Sequence, residues 1–365
     1  MMTIRPAMAD SSLNFRIFYW AAALVIAALT VLLLVEGRSL LVPFAVAVLA
    51  WFLVDAVADG IDRLPTGTWE PPRWVSVTAA LIVVLGGAVG AINLATQNLA
   101  GVNEAAPLYE LNLQQRVLEA TAWLGLSDVF TFDSMFESIE IGPLIGNLAG
   151  TLAGLAGSAG LVLIYMLFLF LEESTFDAKV KRLFPDAGRR RRVQDLLAQI
   201  NRDIRKYMWI KTLMSLITGG LSYMVLMIAG VDYAAFWGFV IFMLNYIPTI
   251  GSLLGIIFPS LLTLVQFDSF GPFLAVTPIL ATIQIVIGNF VEPRMMGGSL
   301  NLSPLVVILA LAIWGSIWGV AGMFLSVPIM VILMIIFANF SQTRPVAVLL
   351  SVDGDVSGFR RADDE

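Results

Sequence analysis

Two stretches of this sequence carry no charged side chain and are too long for a single passage through a lipid bilayer. Residues 233–267 form one uncharged run, and residues 295–343 form the other. As straight helices they would extend about 52 and 74 Å at 1.5 Å per residue, whereas a hydrocarbon core is about 30 Å thick. Each run is therefore predicted to bend back, to cross twice or to extend well outside the membrane.

Six further uncharged runs are each long enough for one crossing. They are residues 17–35, 39–54, 74–102, 141–171, 212–231 and 269–291. Hydrophobic residues make up 59% of the chain and charged residues 13%, whereas soluble proteins average about 45–50% and 25%. The predicted fold class is therefore an all-α membrane protein with about eight hydrophobic units. Two of the units, both in the C-terminal half, are broken or re-entrant helical hairpins.

The distribution of Lys and Arg predicts the orientation. Eleven of the 21 basic residues lie in the segment 172–211, whereas the segment 103–140 contains Arg116 alone. Cytoplasmic loops carry the excess of basic residues, so the first segment is expected in the cytoplasm and the second outside. Counting crossings from there places both termini in the cytoplasm. The run 17–35 is interpreted as a retained first helix and not as a cleaved signal peptide.

These boundaries predict an organisation in six segments. They are transmembrane helices one to three in 1–102, an extracytoplasmic amphipathic segment in 103–140, a fourth transmembrane helix in 141–171, a basic cytoplasmic amphipathic helix in 172–211, a transport core in 212–340 and a cytoplasmic tail in 341–365. Pro107 is expected to separate short helices in the outer segment. Glycines spaced three or four residues apart in the fourth helix predict close helix packing, within the chain or between copies.

The basic segment 172–211 has one apolar helical face. The face comprises Val193, Leu196, Leu197, Ile200 and Ile204. This spacing predicts a helix that continues into the crossing near Trp209. The helix is interpreted as an anchor on anionic lipid, with an element that moves during transport as the alternative.

Pro and Gly locate the break in each long run. Pro248 removes a backbone donor, and Gly251 permits backbone angles that other residues avoid, so two half-helices are expected to meet there. In the second run the break is expected between Gly315 and Gly322. Such paired interruptions point to the site of a transporter, because freed backbone groups must face protein or water. Re-entrant hairpins, which would form an inverted repeat, and single bent crossings both fit the sequence.

Polar and aromatic residues near the two breaks complete a candidate substrate pathway. The candidates are Asn245, Pro248, Gly251, Gln284, Asn289, Glu292, Pro293, Arg294, Gly297, Trp314, Trp318 and Gly319. Intramembrane ionisable residues are costly and usually functional, so Glu292 either belongs to the site or ends a helix at the interface. The amides of Gln284 and Asn289 are expected to face a cavity or a neighbouring helix. The two tryptophans share a helical face and are interpreted as packing residues, with ligand stacking as the alternative.

The composition also argues against several functions. The chain has no Cys and no His, which removes disulfides and Cys/His metal sites. It lacks a phosphate-binding loop ending in Gly-Lys-Ser/Thr. No catalytic residue, metal, cofactor or nucleic-acid partner is predicted.

Two motifs in the C-terminal half resemble those of a known family. Residues 245–251 read Asn-Tyr-Ile-Pro-Thr-Ile-Gly and match an N-x-I-P-x-I/V-G break. Residues 289–297, followed by Leu-Ser-Pro-Leu at 302–305, match an N-x-x-x-P-x-x-x-G…L-S/H-P-L signature. Gly319, Gly322 and Pro328 are similar to positions in the closing helix of that family. The chain thus resembles the autoinducer-2 exporter-like family of bacterial membrane proteins, also called the PerM or uncharacterised permease group.

The resemblance covers nearly the whole chain and implies a secondary carrier or facilitator in the bacterial inner membrane. Its members are linked to export of a furanosyl quorum-sensing signal or to sodium/proton exchange. The leading hypothesis is export of a small polar solute such as autoinducer-2. Sodium(lithium)/proton antiport through Glu292 and a non-transporting membrane scaffold are the alternatives. The expected partners are the lipid bilayer, the solute, a proton or sodium ion, and further copies of the chain in a homo-oligomer.

Overall fold

The computed structural model of the chain describes residues 9–62, 72–123, 141–297 and 301–356. Within these ranges the regular structure is helical, apart from one isolated bridge between Leu302 and Ser351. Six of the described helices are long and apolar enough to cross a membrane. The predicted class, an all-α membrane protein, is therefore confirmed.

Three long helices open the described part of the chain, and the second and third are antiparallel, because Ala80 packs in one cluster with Ala47 while Arg73 contacts Asp62. The three helices are α1 (Ala9–Glu36), α2 (Arg38–Asp62) and α3 (Arg73–Trp123). The small buried residues Ala47, Ala58 and Ala80 allow α2 and α3 to pack closely. Because α3 continues unbroken through Pro107, the short helices expected from residue 103 are wrong as far as Trp123. The rest of the outer segment lies outside the described residues.

Helix α3 persists because its far end has tertiary partners. The Tyr109 hydroxyl donates to Asp232 Oδ2 at 2.9 Å, and Asn112 Nδ2 donates to the Val265 carbonyl at 2.8 Å. Burial, and then the hydrogen bond to Asp232, raises the pKa of the Tyr109 hydroxyl, which therefore remains a donor. These contacts offset the loss of the one backbone hydrogen bond that Pro107 removes from the helix.

The next two helices have boundaries that differ in part from those expected. Helix α4 (Ile141–Leu183) runs past residue 171, so the expected end of the fourth crossing is not a helix end. The helical conformation is interrupted around Pro185. The Asp186 side chain then caps α5 (Ala187–Ile228) by accepting a hydrogen bond from the Arg189 amide. Helix α5 joins the basic segment to the following crossing without interruption, as predicted.

The first long run folds into a hairpin of α6 (Ala234–Leu244) and α7 (Ile250–Gln266). The arms are antiparallel, since Trp237 stacks on Phe258 with ring centroids 6.0 Å apart. Gln266 closes the base by accepting from the Asp232 amide and donating to the Gly230 carbonyl. The arms measure about 16 and 25 Å, less than a bilayer core, so this first hairpin is re-entrant.

A crossing with an irregular end follows. Helix α8 (Gly271–Val286) leads into a π-helical turn (Ile287–Val291) and the short α9 (Glu292–Met296). A π turn holds more residues than an α turn, so it rotates the following side chains around the axis.

The second long run also reverses. Helix α10 (Pro304–Asn339) contains one non-helical residue, Gly319, with φ 63° and ψ −143°. Gly322 lies against the Trp314 carbonyl and Gly315 against Met323, so residues 304–318 and 320–339 are two antiparallel arms. We call them the second hairpin. The helix α11 (Arg344–Leu350) follows.

The two hairpins point in opposite directions. The base of the first lies at the far end of α3, on the side of the turn between α1 and α2. On that same side, the indole of Trp318 at the tip of the second hairpin donates to the Leu34 carbonyl at 2.9 Å. This geometry matches the re-entrant, inverted alternative left open by the sequence.

A glycine on the second arm allows each hairpin to close. A Cβ on Gly251 would lie 1.7 Å from the Leu244 carbonyl oxygen, and one on Gly322 would lie 1.8 Å from that of Trp314. We expect Gly251→Ala and Gly322→Ala each to destabilise the protein by about 1–3 kcal/mol, as overpacking does. Thermal melting in detergent micelles measures this loss.

Gly220→Ala is the matched control, because a Cβ on this α5 residue would have no neighbour within 4 Å. Its melting temperature should equal or exceed that of the wild type, since Ala favours a helix over Gly. Equal melting temperatures for all three variants would contradict close packing at the hairpin tips.

Candidate functional site

The first hairpin ends at a pocket between the two halves of the C-terminal region. The pocket has a volume of about 190 Å³ and is lined by Tyr207, Lys211, Pro248, Glu292, Met296, Leu302, Val307 and Val327. These residues come from α5, the tip of the first hairpin, α9, the segment before α10 and both arms of the second hairpin. The walls are mainly apolar, and the charged groups are confined to one pair.

Lys211 and Glu292 form that pair, with Nζ and Oε1 2.6 Å apart. Their side chains are 6% and 13% exposed, so both charges are largely removed from water. A buried charge is costly unless it is paired, which makes each group dependent on the other. A second contact from α5 fixes the same region, since Lys206 Nζ donates to the Met296 carbonyl at 3.0 Å.

The tip of the first hairpin is tied to α5 and to the second hairpin beside this pair. The Tyr246 and Thr212 hydroxyls are 2.6 Å apart, and the Tyr246 ring stacks on Phe324 with centroids 4.6 Å apart. Asn245 Nδ2 donates to Ser215 Oγ at 3.0 Å. The tip thus has polar partners for its side chains within an apolar surrounding.

Helix α5 presents a buried polar stripe to the first hairpin. Lys211, Ser215, Thr218 and Ser222 are buried and lie on one face at helical spacing. Gly219 on the same face lets α5 approach the Gly238 carbonyl of α6. Small and polar residues of this kind allow close interhelical contact in a membrane.

The same helix is bound to the N-terminal half by a network of charges. Arg205 contacts Asp55 at 2.6 Å and Asp59 at 2.9 Å. Arg73, at the start of α3, contacts Asp59 at 2.7 Å and Asp62 at 2.8 Å. Helix α5 therefore connects the α2–α3 pair to the pocket.

Several predicted site residues do lie at or beside the pocket. Pro248 and Glu292 line it, and Asn245 is buried next to it. Gly251 begins the return arm of the first hairpin. Gln284 is buried as expected, but it packs against Gly255, and its Nε2 makes no hydrogen bond within the described part of the chain.

Other predicted residues lie away from the pocket. The side chains of Asn289, Pro293 and Arg294 are exposed, and Gly297 ends α9 with φ 59°. Asn289 is exposed and does not line this pocket, so its place in the substrate pathway stays a prediction.

The aromatic and glycine residues of the second hairpin lie at its far tip. The rings of Trp314 and Trp318 are 5.1 Å apart, and the Trp318 indole also donates to the Leu34 carbonyl of α1. Gly319 is exposed at the reversal. The second hairpin reaches the pocket through its arms, at Val307 and Val327, and not through its tip.

Lys211 and Tyr207 were not among the predicted site residues. A signal for Lys211 was present, because it lies seven residues after Ile204 and therefore extends the apolar face predicted for α5. A charged side chain on a buried helical face is stable only when it is paired with a group of opposite charge. From the sequence, Lys211 was placed only at the end of the basic segment 172–211.

Long apolar helices and two oppositely directed hairpins that meet at a pocket are the features of a multi-pass membrane transporter. Residues 22–342 match the sequence model of the AI-2E family transporters. The chain therefore belongs to the AI-2E transporter family, as the two motifs suggested.

Three relatives that are named as transport proteins support this assignment to the family. The AI-2 transport protein TqsA of Escherichia coli is 30% identical over 323 residues, covering 86% of this chain and 90% of that protein. A "Putative transport protein" of Haemophilus influenzae is 28% identical over 343 residues, covering 90% and 95%. One of Borreliella burgdorferi is 33% identical over 209 residues, covering 57% and 58%. This membership does not support the non-transporting scaffold.

The Lys211–Glu292 pair predicts a strong dependence of stability on charge pairing. Lys211→Met or Glu292→Gln should each reduce the free energy of unfolding by about 3–5 kcal/mol, because one buried charge loses its partner. The double variant should recover much of this loss. Titration with a denaturing detergent in mixed micelles measures all three.

Lys181→Met is the control, because Lys181 is exposed on α4, and it should change stability by less than about 0.5 kcal/mol. A double variant as unstable as the sum of the single variants would contradict a direct interaction.

Proposed function

We propose that the chain exports a small polar solute through the pocket between the two hairpins. The observation that carries this proposal is the convergence of a broken helix tip at Pro248 and a buried ion pair on one cavity. Transporters place substrate sites where discontinuous helices meet.

The pocket favours a compact and uncharged solute. Its volume of about 190 Å³ is below the 300–1,000 Å³ of drug-sized sites. Lys211 and Glu292 already neutralise one another, so a charged solute would have to break their contact. A neutral solute with hydroxyl groups can use both as hydrogen-bonding partners. A signal such as autoinducer-2 is the specific solute we propose, supported by the similarity to the AI-2 transport protein TqsA of Escherichia coli.

The proposed location is the bacterial cytoplasmic membrane, with both termini in the cytoplasm. The exposed Arg189, Arg191 and Arg192 at the start of α5 support this orientation. They would also suit an anchor on anionic lipid.

We also propose a homo-oligomer, because two of the candidate membrane-spanning helices are little buried within one copy of the chain. Only 11% of the span in α3 and 6% of that in α4 is buried within the chain, compared with 44% in α5 and α10. Contacts with further copies would cover these faces, and the glycines of α4 would allow close approach.

Efflux from right-side-out vesicles loaded with labelled autoinducer-2 tests the proposed site. We expect the Pro248→Leu, Glu292→Gln double variant to lose at least about tenfold in efflux rate, because it changes both the tip and the ion pair. Glu173→Gln, an exposed acid on α4, is the matched control and should match the wild type. Equal efflux from the double variant and the wild type would reject this site.

Sodium(lithium)/proton antiport is the second candidate, favoured by the buried Glu292 carboxylate. In this scheme Glu292 is the carboxylate that binds the exchanged cation, in competition with Lys211. Vesicles carrying a pH-sensitive dye should then show a sodium-dependent pH change that is lost in Glu292→Gln and retained in Glu173→Gln. A wild-type protein without such a change would remove this candidate.

A further inference from the structure

We infer that the C-terminal segment 347–356 is a clip that holds one wall of the pocket in place and controls access to it. The wall is Leu302, in the short segment 301–303 that precedes α10. The effect on transport rests on the proposed function, whereas the effect on access does not.

The clip binds the segment 301–303 mainly through polar contacts. The Ser303 amide donates to the Leu350 carbonyl at 2.9 Å, and Leu302 and Ser351 form an antiparallel bridge. Asn301 uses both ends of its side chain, since Nδ2 donates to the Asp355 carbonyl and Oδ1 accepts from the Val352 amide at 3.4 Å. The tail thus pairs with the segment that carries Leu302 through one bridge and the flanking hydrogen bonds.

Two apolar anchors hold the tail in this position. Ala347 is fully buried and Val356 is 2% exposed, and both belong to the same core cluster as Leu302 and Met296. Val352 between them is 62% exposed. The tail is therefore packed at two points and open to solvent at the intervening strand.

The segment 301–303 depends on these contacts for its conformation. Asn301 has φ 39°, in the left-handed region that non-glycine residues rarely adopt without support. Its side chain obtains that support from the tail. A few hydrogen bonds at an exposed strand can open locally while the remainder of the fold stays intact.

Release of the tail therefore frees Leu302 to move away from the pocket. Leu302 and Met296 are both pocket residues and both buried in the shared cluster. Movement of Leu302 would open the pocket on the side of the membrane that carries the C-terminal segment. With the clip closed, Leu302 is only 8% exposed as a wall of the pocket, and with the clip open it becomes accessible to solvent.

Cysteine labelling tests this directly, because the chain has no natural cysteine. Leu302→Cys is introduced into the full-length protein in liposomes, and its reaction rate with N-ethylmaleimide is measured. Adding Val356→Asp places a charge at a buried anchor and should raise the labelling rate at least about tenfold. Adding Val352→Asp places the same charge at an exposed tail position and should leave the rate unchanged.

A second variant covers the case in which Val356→Asp fails to fold. Ser303→Pro removes the amide that donates to Leu350, and proline fits the φ of −57° at this residue. It should also raise the labelling rate of Leu302→Cys. Size-exclusion profiles and labelling of Ala347→Cys, which reports release of the tail, accompany both variants.

The results separate the clip from the proposed function. Faster labelling at position 347 with unchanged labelling at position 302 would overturn the clip, because the wall would then hold without the tail. Faster labelling at both positions supports it. If efflux of autoinducer-2 is absent in every protein while labelling follows the clip, the clip stands and the proposed export fails.

Discussion

Backbone groups released by a broken helix have no water to bind in a hydrocarbon core, and both hairpins are shaped by this constraint. Each reversal places a carbonyl of the first arm against a glycine of the second, at Leu244–Gly251 and at Trp314–Gly322. A side chain in either place would push the arms apart. The first reversal also has polar partners on α5, through Asn245 and Tyr246. The pocket exists because this tip is held against the second hairpin.

Helix α5 is the common partner of the elements around the pocket. Its Arg205 contacts the acidic end of α2, its Lys206 holds α9, and its Lys211 pairs with Glu292. A buried pair contributes little net stability, but the loss of one partner is costly. The pair therefore fixes the register of α9 against α5 more than it strengthens the fold. A polar stripe beyond Lys211 continues this contact along the first hairpin.

Much of the candidate site could be predicted from residue type, and part of it could not. Pro248 and Glu292 were identified because a proline and a carboxylate are unusual within apolar runs. Asn289 and Arg294 were included because they lie close to Glu292 in sequence, but both are exposed and neither lines the pocket. Lys211 was missed because its partner lies far away along the chain. The expected helix break at Pro107 failed because Tyr109 and Asn112 bind the base of the first hairpin.

The sequence by itself determined that the chain is an all-α membrane protein with two interrupted segments, because charge-free length and the positions of Pro and Gly are local properties. It also indicated the family through the motifs at 245–251 and 289–305. The tertiary structure alone decided which residues meet at the pocket, since Lys211 and Glu292, or Leu302 and Ser351, are joined by packing and not by spacing. It also decided between hairpins and bent crossings, because both satisfy the same hydrophobic pattern and only the contacts between the arms distinguish them.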